Sequence, residues 1–251
     1  MTDLFVEEFG AGPLLGYSHG IFFSNRVEDR LGQLDWSRLA GSHRIVRHHQ
    51  RGHGLSPGEP DPDLYTWSSL ADDLLTVADE VAGDGPADWA GSSMGTGTLL
   101  WAAARRPERF RRLVLMIPPT VRDGREASRR AYESGAAGVE VRGKDAWVTI
   151  MRGFGKPEIF ADVPGWEFSA DVPEALLPAV MRGAARSDLP ADEALAAVTH
   201  PALILAWETD PGHPVASAEL LAKVLPDARL HVSATSADVR TWPDRIGEFL
   251  S

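Results

Sequence analysis

Two periods of apolar residues run along the chain. Leu4 to Phe9 alternates apolar and polar side chains, the two-residue period of a half-buried strand. Gly10-Ala11-Gly12-Pro13 reads as the turn that follows. Leu14 to Ser18 predicts a second strand and Arg44 to His48 a third. Between them Asn25 to Leu34 reads as helical, with Asp35 or Ser37 opening another short helical turn. Thr66 stands at the N-cap of a helix reaching about Ala82, in which Leu70, Leu74, Leu75 and Val77 fall near helical spacing. The stretch Asp88 to Gly97 predicts a short apolar strand, a sharp turn and the start of a helix that runs from Met94 to about Ala104. Arg112 to Ile117 is an apolar run short enough for a buried strand.

After Pro118-Pro119 the character changes. Residues 121–189 carry helical segments and turns with no strand alternation. The earlier rhythm then resumes, with a strand over Pro201 to Trp207, a helix over Val215 to Leu225, a strand over Ala228 to Ser233 and a closing helix over Arg240 to Leu250. Strand–helix alternation on both sides of a helical insertion predicts an α/β fold: a mostly parallel central sheet, helices on both faces and a helical lid. The expected organisation is one domain, with residues 1–120 and 190–251 as core and 121–189 as the inserted lid. In such sheets, function collects at the carboxyl ends of the strands.

The composition narrows the function classes. The chain has 251 residues, 43% of them apolar, enough to bury a sizeable core. A net charge of −11 argues against a nucleic-acid partner or an anionic membrane surface, since both demand clustered cations. With no cysteine there are no disulfides, thiolate metal sites or cysteine nucleophile. The N-terminus lacks a basic segment followed by an apolar run, and no long apolar stretch exists, so a cytoplasmic protein is expected.

The chemistry centres on Gly91-Ser92-Ser93-Met94-Gly95, a Gly-x-Ser-x-Gly pattern. A serine on a tight strand-to-helix turn needs small residues two before and two after it, and the amide of the next residue then lies at a helix N-terminus, where it can stabilise an oxyanion. Three further features stand in order around it: His19-Gly20 after a strand, Gln50-Arg51-Gly52-His53-Gly54-Leu55-Ser56, and Glu208-Thr209-Asp210-Pro211-Gly212-His213-Pro214 after a late strand. Together these resemble the α/β-hydrolase superfamily, in particular its lidded members such as 3-oxoadipate enol-lactone hydrolases and related esterases.

The resemblance implies Ser93 as nucleophile, Asp210 as the acid that orients an imidazole, and the amides of Met94 and Ile21 as oxyanion donors, with Phe22 the one-residue alternative to Ile21. It implies an orienting role for His19 and an architectural one for Arg51 to Ser56, where His49 replaces the family's usual Asp. It also exposes a departure. Family members carry a histidine in the loop after the last strand, but here that loop reads Ser233-Ala234-Thr235-Ser236-Ala237-Asp238-Val239, with Asp238 near the missing base. His231 lies inside the preceding strand, where its side chain is expected to point away from the loop.

Three readings stay open. His213, three residues after Asp210, substitutes as base; a carboxylate such as Asp238, Asp210 or Asp123, a lid residue or the substrate itself supplies one; or hydrolysis is lost, leaving a lyase, a cyclase or a ligand-binding protein. No metal site is expected from His43, His48, His49 and His53, because no carboxylate stands at ligand spacing. The expected activity is cofactor-free hydrolysis of a small, largely apolar carboxylic ester or lactone. Lid aromatics, among them Trp147, Phe154, Phe160, Trp166 and Phe168, together with Met151, are candidates to line the pocket, and the glycines from Gly135 to Gly143 and Gly153 to Gly155 are candidate hinges.

Overall fold

The computed structural model describes residues 3–210 and 212–251; Met1, Thr2 and Pro211, the last within the Glu208–Pro214 stretch, lie outside the described residues. Seven strands form one sheet: β1 (Val6–Gly10), β2 (Leu14–Ser18), β3 (Arg44–His48), β4 (Ala87–Ser92), β5 (Phe110–Met116), β6 (Ala202–Trp207) and β7 (Ala228–Ser233). Their spatial order is β1-β3-β2-β4-β5-β6-β7. β1 runs antiparallel to β3, pairing Val6 with His48 and Gly10 with Arg44, and every other neighbour pair is parallel. The two-residue period explains the layering. Trp89, Leu113 and Ile204 face one apolar cluster, while Ala90, Val114 and Leu205 face another on the opposite side.

Eleven helices follow in chain order among the described residues: α1 (Asn25–Leu31), α2 (Ser37–Ala40), α3 (Trp67–Ala82), α4 (Met94–Arg105), α5 (Arg125–Arg142), α6 (Lys144–Gly153), α7 (Leu177–Arg186), α8 (Asp192–Ala196), α9 (Val215–Val224), α10 (Ser236–Val239) and α11 (Trp242–Leu250). Helices α3, α4 and α9 pack into the first cluster, α2 and α11 into the second. None of the described helices is long and apolar enough to cross a membrane. Thr66 Oγ1 accepts the Ser69 amide, as an N-cap should. Helix α1 stops three residues short of the expected Leu34, because Gly32 adopts a left-handed conformation (φ 64°) and its amide closes onto the Asp29 and Glu28 carbonyls.

Between β5 and β6 the chain is helical and contains no strand among the described residues. Two expectations for this segment need correction. Gly135 and Gly138 sit inside the continuous helix α5 and form no hinge; a Cβ on Gly135 would lie 3.2 Å from Met181 Sδ, so the glycine lets α7 close on α5. Phe154 follows the last residue of α6 and is 80% exposed, so it lines nothing. Phe160 and Trp166 stack on each other, Phe160 meets Trp207 edge-on, and neither lines the cavity at Ser93.

The sharp link from β4 to α4 holds Ser93 at φ 53°, ψ −112°, a region that L-residues avoid. The Ser93 amide donates to the Met116 carbonyl (3.0 Å), anchoring the turn to β5. The turn closes because its neighbours lack side chains. A Cβ on Gly91 would collide with the Gly95 backbone, and one on Gly95 with the Ser18 carbonyl of β2. Gly97 is equally constrained, since its Cβ would lie 2.5 Å from the Trp67 ring. Gly95→Ala must therefore push α4 off the sheet. It should cost about 3 kcal/mol or more of unfolding free energy, read by denaturant unfolding, and an unchanged midpoint would contradict the packing described.

Candidate active site

Ser93 is 9% exposed and opens onto a cavity of about 360 Å³. Helix α4 starts at Met94, and the amides of Met94, Ile21 and Phe22 take no hydrogen-bond partner among the described residues. The loop after β2 runs beside the serine: a Cβ on Gly20 would lie 3.7 Å from Ser93 Cβ.

The loop after β6 brings the other candidates to it. His213 Nε2 lies 2.7 Å from Ser93 Oγ, and His213 Nδ1 lies 2.7 Å from Asp210 Oδ2. The ionised acid accepts from Nδ1–H, leaving Nε2 as acceptor for the serine hydroxyl. The loop prepares this geometry locally. Asp210 Oδ1 accepts the Gly212 amide at 2.8 Å and the His213 amide at 3.2 Å, curling the chain until residues three apart face each other. Burial pushes the Asp210 carboxyl upward, but the facing His213 and the two amides outweigh it, holding it below the ordinary carboxylate range.

The end of the sheet where a base is missing from the sequence pattern is arranged differently. His231 does not point away from the following loop, as its strand position suggested. Its Nε2 reaches Asp238 Oδ2 at 2.9 Å, while Asp238 Oδ1 accepts from Arg245 at 3.1 Å. Asp238 is thus engaged in a local ion-pair network, and Asp123 lies in the short helical turn Arg122–Gly124 before α5.

Histidines buttress the loop after β2. Gln50 N–H donates to His19 Nε2 (2.9 Å), so the His19 proton sits on Nδ1 and is donated to the Gly20 carbonyl (2.8 Å). Burial holds the His19 imidazole well below its ordinary pKa. The ring nitrogens of His53 face the carbonyls of Arg51 (2.8 Å) and Ile21 (2.5 Å); both are acceptors, so a neutral ring serves one of them with its single N–H. His49 Nδ1 accepts the Leu55 amide at 3.0 Å, which bridges the loop where the family's usual Asp is replaced. Arg51 pairs with Asp73, and Ser56 Oγ links the Phe5 amide to the His49 carbonyl. These contacts make the histidines structural, and no group of three or more His, Cys, Asp or Glu gathers at metal-binding distance among the described residues.

Comparison with known proteins agrees with this architecture. The family model described as "Alpha/beta hydrolase family" matches residues 15–244. The chain belongs to this family. A 2-(acetamidomethylene)succinate hydrolase from Mesorhizobium japonicum is 34% identical over 109 residues, a match spanning 43% of this chain and 37% of that protein. Among solved structures, a thermophilic esterase from Thermogutta terrifontis superposes with a TM-score of 0.76 at 21% identity, covering 98% of this chain and 91% of its own. The enol-lactonase from Burkholderia xenovorans LB400 gives 0.77 at 19% identity, covering 98% and 96%. At these identities the structural likeness is one of α/β-hydrolase fold.

Sequence reasoning passed over the one carboxyl among the described residues that line this family member's cavity. Glu28 of α1 is 3% exposed and lines the cavity, its Oε1 accepting the Gly20 amide (2.9 Å) and its Oε2 the Tyr17 hydroxyl (2.6 Å). The signal was legible: Val27 and Leu31 mark the buried stripe of α1, and position 28 lies on it. Ile117, a β-branched residue at φ 39°, also lines the cavity and carried no comparable sign. Burial pushes the Glu28 carboxyl up to about 7, against the pull of the Gly20 amide, the Tyr17 hydroxyl and Arg47.

Because this carboxyl titrates near 7 when folded and at 4.5 ordinarily, the folded chain holds the proton more tightly. Its contribution to stability is complete below the unfolded value and is lost as pH rises through about 7. Glu28→Gln removes that loss. The melting temperature of the variant relative to the native chain should be nearly level at acid pH and rise by several degrees between about pH 5 and 8; a difference that stays constant with pH would contradict the assignment.

Proposed function

We propose that this chain is a serine hydrolase of small, largely apolar carboxylic esters or lactones, acting through an acyl-enzyme on Ser93. The observation that carries this reading is the continuous hydrogen-bonded chain from Asp210 through His213 to Ser93 Oγ at the cavity. A serine hydroxyl without a base is a poor nucleophile at neutral pH, and the readings of a lyase, a cyclase or a binding protein rested on the imidazole missing from the late loop. An imidazole 2.7 Å from the serine favours hydrolysis over those alternatives.

In this mechanism Ser93 Oγ attacks the substrate carbonyl carbon while His213 Nε2 takes its proton, and Asp210 stabilises the resulting imidazolium. The amides of Ile21 and Met94 hold the oxyanion, the latter aided by the dipole of α4. The tetrahedral adduct collapses, the leaving alkoxide takes the proton from His213, and the acyl group stays on Ser93. Water, deprotonated by His213, then attacks the acyl carbon and releases the acid. In a lactone the leaving alcohol stays tethered to the acyl group throughout, and the last step releases a single hydroxy acid from Ser93.

Residues 121–189 act as the lid of the same domain. Met151 and Phe168 present apolar surface to the cavity, and Phe168 packs with Trp147 and Phe22. Ile21, Phe23 and Ile117 add to the apolar lining from the core, and no Lys or Arg stands among the described lining residues. Such a cavity suits an uncharged substrate better than the succinate for which the similar Mesorhizobium japonicum hydrolase is named.

A fluorophosphonate probe tests the assignment. Rapid labelling should map to Ser93, vanish in Ser93→Ala and fall at least about 100-fold in rate in His213→Ala. Labelling that survives His213→Ala removes the proposed base, and an unlabelled native chain sinks the acyl-enzyme. Ester hydrolysis separates the two acids. Asp210→Asn should lower kcat by on the order of 10³-fold or more, whereas Asp238→Asn, which disturbs contacts to His231, Thr241 and Arg245, should stay within about threefold; a reversed order would move the acid role to Asp238.

A further inference from the structure

The cavity beside Ser93 contains a single carboxyl among its described lining residues, that of Glu28. Gly20 stands between the two groups: a Cβ there would lie 3.6 Å from Glu28 Oε1 and 3.7 Å from Ser93 Cβ. Glu28 is therefore a neighbour of the site where the substrate's carbonyl is to be held, and its charge acts on whatever the cavity contains.

Nothing in the cavity neutralises it. The contacts to Gly20 N–H and Tyr17 O–H satisfy hydrogen-bonding capacity without supplying a cation. The groups that bear on Glu28 electrostatically are Tyr17 from β2, Arg47 from β3 and Asp29 beside it on α1, and His213 shares the cavity from the loop after β6. Arg47 is already committed, with Nη1 at 2.6 Å from Asp29 Oδ1 and Nη2 at 2.7 Å from Glu7 Oε1. Tyr17 is buried and its phenol is pushed well above its ordinary pKa, so it stays neutral.

Resting on the reading of Ser93 as nucleophile, we infer that Glu28 is a specificity-determining residue, which admits substrates that are neutral in the part lodged in this cavity and rejects those carrying a carboxylate there. Two like unit charges a cavity's width apart, at the effective dielectric of a protein site, separate substrates by on the order of 30-fold. Since the Glu28 carboxyl titrates at about 7, the rejection acquires a pH signature: it weakens at acid pH, where Glu28 is protonated while an alkyl carboxylate on the substrate is still charged. An apolar pocket that disliked anions through desolvation alone would show no such change.

The test compares kcat/KM for 4-nitrophenyl hexanoate and the mono-4-nitrophenyl ester of adipic acid, which match in length and differ in the terminal charge. In the native chain the neutral-to-anionic ratio should be about 30 at pH 8 and fall several-fold by about pH 6. In Glu28→Gln, whose amide oxygen can still accept the Gly20 N–H, the ratio should drop to a few-fold and be flat with pH. A native ratio that does not vary with pH, or that Glu28→Gln leaves unchanged at pH 8, overturns the inference. Should the variant fail to fold, the pH course of the native ratio decides alone. If neither ester turns over, the hydrolase reading fails separately, and the ratio of the hexanoate Kd to the hexanamide Kd at the same two pH values still judges Glu28: a ratio that rises with pH supports its role, and a flat one ends it.

Discussion

The constraint on which the rest depends is the closeness of α4 to the sheet. A turn that carries Ser93 at positive φ can exist only if the strand behind it and the helix ahead of it come within backbone contact, and this holds because Gly91 and Gly95 have no side chains to separate them. The same closeness aims the first amides of α4 at the cavity and sets the serine at the carboxyl end of β4, between the loops after β2 and β6. The candidate site is thus assembled from three loops that the parallel sheet delivers to one edge.

Two of those loops use opposite strategies. The loop after β2 is held from outside, by Glu28 on the Gly20 amide, His53 facing the Ile21 carbonyl and the Gln50 amide on the His19 ring. The loop after β6 is held from within, by the Asp210 carboxylate receiving two amides of its own turn. External buttressing spends buried polar groups, and each must be satisfied; internal bracing needs little beyond one side chain. This difference accounts for the concentration of shifted imidazole and carboxyl pKa values around the first loop.

The order of strands and helices was legible because the two apolar periods differ and because Gly and Pro punctuate them; the helix over Trp67–Ala82 and the strand over Arg44–His48 match their expected bounds. The Ser93 turn was legible because the steric demand is local. What escaped depends on contacts between distant segments. Gly135 and Gly138 resemble turn residues in sequence, yet α7 packs against that face and makes a helix the better solution. The side chain of His231 follows the β-strand alternation until Asp238, seven residues on, offers a partner. His213 could be named as one of three candidates for the missing base, but its distance to Ser93 is set by how the β6 loop folds over β4, which no spacing encodes. Glu28 announced itself through a charge on a buried helical stripe, while the cavity that gives the charge meaning exists only when α1, β2 and the inserted helices meet.

The brevity of the turn between Asp210 and His213 has a mechanical corollary. Where an acid and a base sit on separate loops, three moving parts have to stay in phase; in the proposed triad two of the three are welded into one short turn, and a single degree of freedom, the gap between that turn and the serine, is left to fluctuate. The loop after β7 then supplies no member of the proposed alignment, although β7 steadies the start of the β6 loop through the Glu208 amide on the Ser233 carbonyl. The His231–Asp238–Arg245 cluster works as a clasp for the tail of the fold, tying β7 to α10 and α11.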